Sequence, residues 1–235
     1  MKSVKRQQAI VLLSGGLDSA VALYVAKSRG LKCHCLIFDY GQRHKRELKS
    51  AKAIARKARC PWRILKISLP WKGSALLDKE AKIGASLKVQ GYDGKKKIPA
   101  TYVPGRNIIF LSFALSFAES LGAVAIYIGA HSHDYSGYPD CRLEFFRAFR
   151  RLASLGTKTG IEKKKISIFA PLLHKNKSQI IRMGNKLGVP IELTWSCYEG
   201  KARPCRKCDS CYYREKGFRE AGLHDPLIKK RNLVE

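Results

Sequence analysis

Ala9-Ile10-Val11-Leu12-Leu13-Ser14-Gly15-Gly16-Leu17-Asp18-Ser19 is the stretch on which the reading of this chain turns. An apolar strand runs into a serine–glycine turn, and the chain re-enters as a helix. At such a junction unpaired backbone N–H groups converge at a helix N-terminus, where the helix dipole adds partial positive charge, so the turn forms an anion cradle. Gly15 and Gly16 let the backbone turn sharply and approach a phosphate without a Cβ in the way. Ser14 and Ser19 add hydroxyls, and Asp18 sits where a carboxylate reaches a metal ion or caps the helix. No Gly-Lys-Ser/Thr follows, which excludes the common nucleoside-triphosphate loop.

Outward from this turn, strand and helix signals alternate. Strands are expected at 9–13, 33–38, 63–67, 123–128 and 165–170. Helices are expected at 19–29, 44–59, 107–121 and 177–187; Gly30 closes the first, and 107–121 is apolar almost all round, as in a buried helix. Between strands four and five a further helix places Phe145, Phe149 and Leu152 on one side and Arg147, Arg150 and Arg151 on another. Residues 70–99 lose periodicity and read as a long Gly- and Lys-rich loop. The alternation predicts an α/β protein with a doubly wound, five-stranded parallel sheet, Rossmann-like in type. Ligands of such sheets bind beyond the carboxyl ends of the strands. The expected division is an α/β domain over 1–190 and a small helical region over 191–235.

The chain has 235 residues, 45% of them apolar, enough for one full core. Its apolar run before the turn is too short for a signal core or membrane span, so a soluble, cytoplasmic protein with no membrane partner is expected. Lys and Arg number 46 against 18 Asp and Glu, a net charge of +28. That excess points to polyanionic partners, nucleic acid among them, although a basic mouth serves anionic small molecules equally well. Cys33, Cys35, Cys60 and Cys141 are dispersed and read as small core residues. Cys197, Cys205, Cys208 and Cys211 form a C-x7-C-x2-C-x2-C cluster that suits one structural Zn²⁺ held by four thiolates. An iron–sulfur cluster is the rival occupant, and visible absorption would reveal it.

Chemistry-bearing segments follow the strands: Asp39-Tyr40-Gly41-Gln42-Arg43, then Val103-Pro104-Gly105-Arg106-Asn107, then Asp134-Tyr135-Ser136-Gly137-Tyr138-Pro139-Asp140-Cys141-Arg142. Ser-Gly-Gly-Leu-Asp-Ser resembles the pyrophosphate-binding loop of the ATP-pyrophosphatase (PP-loop) superfamily, whose members generally pass AMP to a carboxyl or carbonyl oxygen. Loop, following segments and cysteine cluster, in this order from about residue 9 to 218, resemble the 7-cyano-7-deazaguanine synthase family of queuosine and archaeosine biosynthesis.

The resemblance implies conversion of 7-carboxy-7-deazaguanine and ammonia to the nitrile, using ATP with Mg²⁺. On this reading Ser14, Gly15, Gly16, Leu17, Asp18 and Ser19 meet the phosphates, and Leu13, Ala20, Val21, Ala22 and Leu23 belong to the nucleotide site around them. Ser19, Asp18, Arg106 and Lys177 carry catalysis, the last two as fixed cations. Asp39, Tyr40, Arg43, Asp134, Tyr135, Asp140 and Arg142 meet the substrate: a carboxylate such as Asp140 suits the guanine-like N–H edge, and Arg142 suits a carboxylate. The family's pattern also implies a homodimer, with nucleic acid possible but not required. Arg206 stands where the family usually has Gly after the second cysteine, and Gln179 replaces a usual Glu. His131-Ser132-His133 is read as plain loop. The rival readings are a tRNA-thiolating or lysidine-forming superfamily member with Cys141 as relay thiol and the 70–99 loop as arm, a deazaguanine-transferring paralogue, and a non-catalytic zinc module.

Overall fold

A computed structural model describes residues 6–42, 45–70, 74–78, 98, 100–131 and 138–228. Its centre is a parallel sheet of five strands: β1 (Gln8–Leu12), β2 (Lys32–Asp39), β3 (Trp62–Lys66), β4 (Ala125–Tyr127) and β5 (Ser167–Phe169), in the order β3-β2-β1-β4-β5. The helices are α1 (Leu17–Ser28), α2 (Arg46–Lys57), α3 (Arg106–Leu121), α4 (Leu143–Leu155), the single turn α5 (Lys158–Ile161), α6 (Lys177–Lys186) and α7 (Asp209–Ala221).

Alternation along β1 divides the core. Ala9 and Val11, with Leu13 just beyond the strand, join α1, α2 and α6 through Leu17, Val21, Ile54 and Ile180. Ile10 and Leu12 face the other way, onto Leu111 and Leu115 of α3 and Phe146 and Phe149 of α4. These side chains are nearly all fully buried, so β1 is apolar on both faces, as a doubly covered central strand must be. The chain winds outward from β1 to β2 and β3, then α3 carries it back to β4 on the other side of β1. The direction of winding therefore reverses between β1 and β4, which places the ligand crevice at the carboxyl end of β1.

The expected fold is found, with local corrections. β4 and β5 have three residues each, shorter than expected, although pairing continues through the Val124 N–H to Gln8 O and the Ile128 N–H to Phe169 O. Phe146, Phe149 and Ala153 are the buried side of α4, while Leu152 is 54% exposed. The expected face is thus rotated: Phe146 lies three residues before Phe149 and Ala153 four after it, and this row is the side that meets β5. Arg150 does not merely face solvent: it donates to the Ile168 carbonyl at 3.0 and 2.7 Å. Helix α3 is buried on one side only, with Ile108 and Phe113 exposed by 48% and 42%.

Candidate active site

The turn after β1 is ordered by its own serines. The Ser14 and Ser19 hydroxyls lie 3.0 Å apart, the Gly16 N–H donates to Ser14 Oγ at 3.2 Å, and Ser19 Oγ donates to the Gly16 carbonyl at 3.0 Å. Gly15 has φ +92°, and a Cβ there would meet the α2 backbone, 2.8 Å from the Ala51 nitrogen. Conformation and space both require glycine at this position. The Gly15 carbonyl accepts from the Trp195 N–H at 2.9 Å, tying the C-terminal segment to the loop.

Three distant parts of the chain meet at the first turn of α1. Lys177 Nζ, at the N-terminus of α6, donates to Asp18 Oδ1 and Oδ2 at 2.9 and 3.1 Å. His131 Nε2, just past β4, lies 3.4 Å from Asp18 Oδ2 and 3.3 Å from Lys177 Nζ. Burial alone would raise the Asp18 carboxyl, but Lys177 and His131 outweigh it and hold the group well below the usual carboxylate range. The reading of His131 as plain loop is therefore corrected: it belongs to the Asp18–Lys177 cluster. Its neighbour Gly129 brings β4 this close, since a Cβ there would sit 2.7 Å from the Ser19 nitrogen.

Lys177 is aimed by its surroundings. The Asn176 side chain accepts from the Gln179 N–H at 2.9 Å, and Gln179 Oε1 accepts from the Asn176 N–H at 3.0 Å. Gln179 thus closes the capping box that a Glu would close, and the α6 N-terminus is held without the extra charge. The Lys177 stem crosses α7 at Gly217, where a Cβ would collide with Lys177 Cγ and lie 2.9 Å from Ile181 Cδ1.

The β2 and α3 segments form a second group. Arg106, at the start of α3, donates to Tyr40 Oη at 3.3 Å. Burial opposes its charge, but Tyr40, Tyr138 and Asp140 around it hold its pKa above the ordinary value. Asp140 is 5% exposed, and its Oδ2 accepts from the Asn107 N–H at 3.0 Å, capping α3 from outside. Burial pushes the Asp140 carboxyl up, opposed by the Asn107 hydrogen bond and by Arg106. Asn107 Nδ2 binds the Asp140 carbonyl and Cys141 Sγ, and burial pushes the Cys141 thiol up to about 12. Arg142 is exposed and donates to the Pro139 carbonyl at 3.3 Å. Asp39 ends β2. Arg43, Asp134 and Tyr135 lie outside the described residues.

Cys197, Cys205, Cys208 and Cys211 converge with all four sulfurs within 4.8 Å of one another. Cys205 and Cys211 are 3.9 Å apart, close to the roughly 3.8 Å edge of a tetrahedron with zinc–sulfur bonds of about 2.3 Å. Backbone N–H groups of Cys205, Lys207 and Cys208 point at the sulfurs, which suits thiolate charge. Arg206 has φ +59° and is anchored to Glu215 at 3.0 Å, so this turn holds a non-glycine residue in the left-handed region and carries strain. Trp195 packs on the cluster, and Arg214 holds α7 down through a buried bidentate pair with Asp225 at 2.7 and 2.9 Å.

Sequence reading missed His131, Gly129, Trp195 and Gly217. Only Gly129, a glycine directly after a strand at the switch point, carried a local signal.

The family profile described as "Queuosine biosynthesis protein QueC" matches residues 8–222. The chain is 48% identical over 223 residues to a 7-cyano-7-deazaguanine synthase of Nostoc punctiforme, covering 94% of this chain and 99% of that one. It is 48% identical over 225 residues to a 7-cyano-7-deazaguanine synthase of Thermoplasma volcanium, covering 94% and 90%. Among solved structures it is similar to an NMN synthetase from Francisella tularensis, with TM-score 0.46, 17% identity and coverage of 93% and 79%. A 4-thiouridine synthetase in an RNA complex with bound ATP gives TM-score 0.49, 20% identity and coverage of 91% and 53%. With the sequence identity and coverage of these relatives, and a site built at the switch point of the sheet, the chain belongs to the QueC family, that of the 7-cyano-7-deazaguanine synthases.

Proposed function

We propose that the protein is an ATP-dependent ligase that converts 7-carboxy-7-deazaguanine and ammonia to 7-cyano-7-deazaguanine. A carboxylate resists attack by ammonia because its oxygens are poor leaving groups. Transfer of AMP to one oxygen releases pyrophosphate and makes that oxygen leave readily. Ammonia then displaces AMP to give the amide. A second ATP activates the amide oxygen, and departure of the second AMP with loss of a proton leaves the nitrile. Two ATP are consumed per nitrile.

The observation that carries this reading is the Lys177–Asp18 contact at the glycine turn, which joins the α6 cation to the α1 N-terminus across 159 residues of chain. In the reading, residues 14–19 receive the phosphates, Ala20 to Leu23 line the nucleotide site, and Ser19 and the Gly16 N–H orient the phosphate oxygens. Lys177 and Arg106 offset the negative charge that develops at the α-phosphorus and the acyl oxygen. Asp18 stays ionised and is 26% exposed, so it would hold Mg²⁺, which neutralises phosphate charge when bound. Asp39, Tyr40, Arg43, Asp134, Tyr135 and Arg142 are assigned to the deazaguanine and its carboxylate; Asp140, buried on the Asn107 N–H, serves the same ligand indirectly by setting the α3 N-terminus beside Arg106.

Zinc in the four-cysteine site is structural, with no position left for substrate, and belongs to the 191–235 region that braces the 1–190 domain. Eight cysteines with no disulfide among them support a reducing, cytoplasmic setting, and among the described residues no helix is long and apolar enough to cross a membrane. The exposed Ile108 and Phe113 on α3 support a homodimer. A buried Cys141 thiol with a raised pKa argues against the thiolating alternative, because the thiolate is the nucleophile. The test is mass spectrometry of 7-carboxy-7-deazaguanine incubated with protein, ATP, Mg²⁺ and ¹⁵N-ammonium. Labelled nitrile that disappears with Ser19→Ala supports the assignment, and an unchanged substrate refutes it.

A further inference from the structure

At the end of the sheet opposite the glycine turn, a cavity of about 550 Å³ opens between the amino ends of β2 and β3 and the last turn of α1. Cys33 and Cys60 line it, and its rim carries Arg6, Lys27, Lys32, Lys57 and Arg59 without an acidic residue. Cys35 lies beneath, in the same buried cluster; the Cys33 thiol meets the Leu31 carbonyl at 3.7 Å and the Cys60 thiol meets the Ala58 carbonyl at 3.5 Å. Lys27 reaches over α1 to the Ala58 carbonyl at 2.5 Å, which fixes its ammonium beside the three sulfurs.

The ladder defines which pair can join. Cys35 is paired with Trp62 in β2–β3, and the Cys35 N–H donates to the Pro61 carbonyl at 2.8 Å. Continued two residues back, past the start of β3, this register brings Cys60 to the level of Cys33, and both line the cavity. Neighbouring strands lie about 4.8 Å apart, inside the Cα range that a disulfide spans. Of the three thiols, Cys60 is the least buried, at 6% exposure, and the Lys27 ammonium sits on the same Ala58 carbonyl that the Cys60 thiol meets, which favours a thiolate there.

We propose that this cavity is a thiol-modification site, in which Cys60 attacks an anionic low-molecular-weight disulfide and Cys33 resolves the product to a Cys33–Cys60 disulfide. In the first step the Cys60 thiolate displaces one thiolate from the small disulfide. In the second, the Cys33 sulfur attacks Cys60 and displaces the other. Two protein thiols are oxidised, one small disulfide is reduced to two thiols, and the two protons end on them. The basic rim selects the anion, and the site is independent of the adenylating centre.

The test uses the zinc-loaded protein, with oxidised glutathione as the anionic probe and cystamine as a cationic disulfide of similar reactivity. Products are trapped with acid and mapped by peptide mass spectrometry, which separates Cys60 from the zinc ligands. The expected result is a Cys33–Cys60 cross-link, a glutathionyl group retained on Cys60 in Cys33→Ser, and an unimpaired cross-link in Cys35→Ser. Oxidised glutathione should outpace cystamine by about tenfold or more at low salt, with the difference collapsing at high salt. Equal rates for the two probes, first modification at Cys33 or Cys35, or no modification at Cys60 would overturn the proposal.

Discussion

Gly217→Ala should disable the enzyme while leaving it folded, because the residue it displaces is Lys177. A methyl group at Gly217 would collide with the Lys177 stem, 3.0 Å from Cβ and closer still to Cγ, and lie 2.9 Å from Ile181 Cδ1. Overpacking of this kind costs about 1–3 kcal/mol. The gain in helix propensity on replacing Gly returns about 1 kcal/mol. The net loss of about 0–2 kcal/mol lowers Tm by up to roughly 8 °C in a chain of this size. The catalytic effect is larger. Moving the stem pulls Nζ from its 2.9 Å contact with Asp18, and a misplacement near 1 Å costs about a hundredfold in rate. Steady-state release of pyrophosphate should show kcat reduced by about ten- to a hundredfold, with KM for the deazaguanine changed far less. In a Lys177→Ala background, Gly217→Ala should cost nothing further, since both act through one side chain. Wild-type kcat in Gly217→Ala, or fully additive losses in the double variant, would refute this reasoning.

Chelation of the metal at Cys197, Cys205, Cys208 and Cys211 should release one zinc per chain and shift the emission of Trp195, which packs on the sulfurs. Turnover should fall with it, because Trp195 also holds the Gly15 carbonyl; retained activity in metal-free protein would argue otherwise. Arg206→Gly removes a left-handed non-glycine residue and an exposed ion pair worth little, so folding stability from thermal melts should be unchanged or raised by up to about 1 kcal/mol, and a loss of more than about 1 kcal/mol would deny the strain. The Asp18 carboxyl has a folded pKa below its ordinary 3.8, so its contribution to stability is full above that value and is lost only as pH falls through the lower folded value. Carboxyl NMR should find it still ionised at pH 3.8, and in Lys177→Ala its midpoint should rise.

Much of the fold was legible because β1 alone carries the decisive pattern: apolar on both faces and ending in Ser-Gly-Gly, it can only be a covered central strand that feeds a helix. Lys177 was singled out only through the resemblance, in which Asn176-Lys177 matches the family's pattern. The rest of the site depends on contacts that no local pattern encodes. His131 gains meaning only when Gly129 lets β4 touch α1, and Gly217 only when α6 and α7 cross. Helix α4 was rotated for a related reason. Phe145 and Phe146 are both aromatic, and only the position of β5 decides which is buried. The family's usual Gly marked the Arg206 turn as unusual, and the left-handed φ appears only in the structure; the neutrality of Gln179 was not legible, since it rests on a reciprocal hydrogen bond.

The central claim is that the turn at residues 14–19 holds ATP so that AMP passes to the substrate's own oxygens. Substrate bearing ¹⁸O at both carboxylate positions tests it, with the released nucleotide analysed by mass spectrometry. Two AMP, each carrying one ¹⁸O, should form per nitrile. Label appearing in water or inorganic phosphate, or AMP without ¹⁸O, would contradict the account.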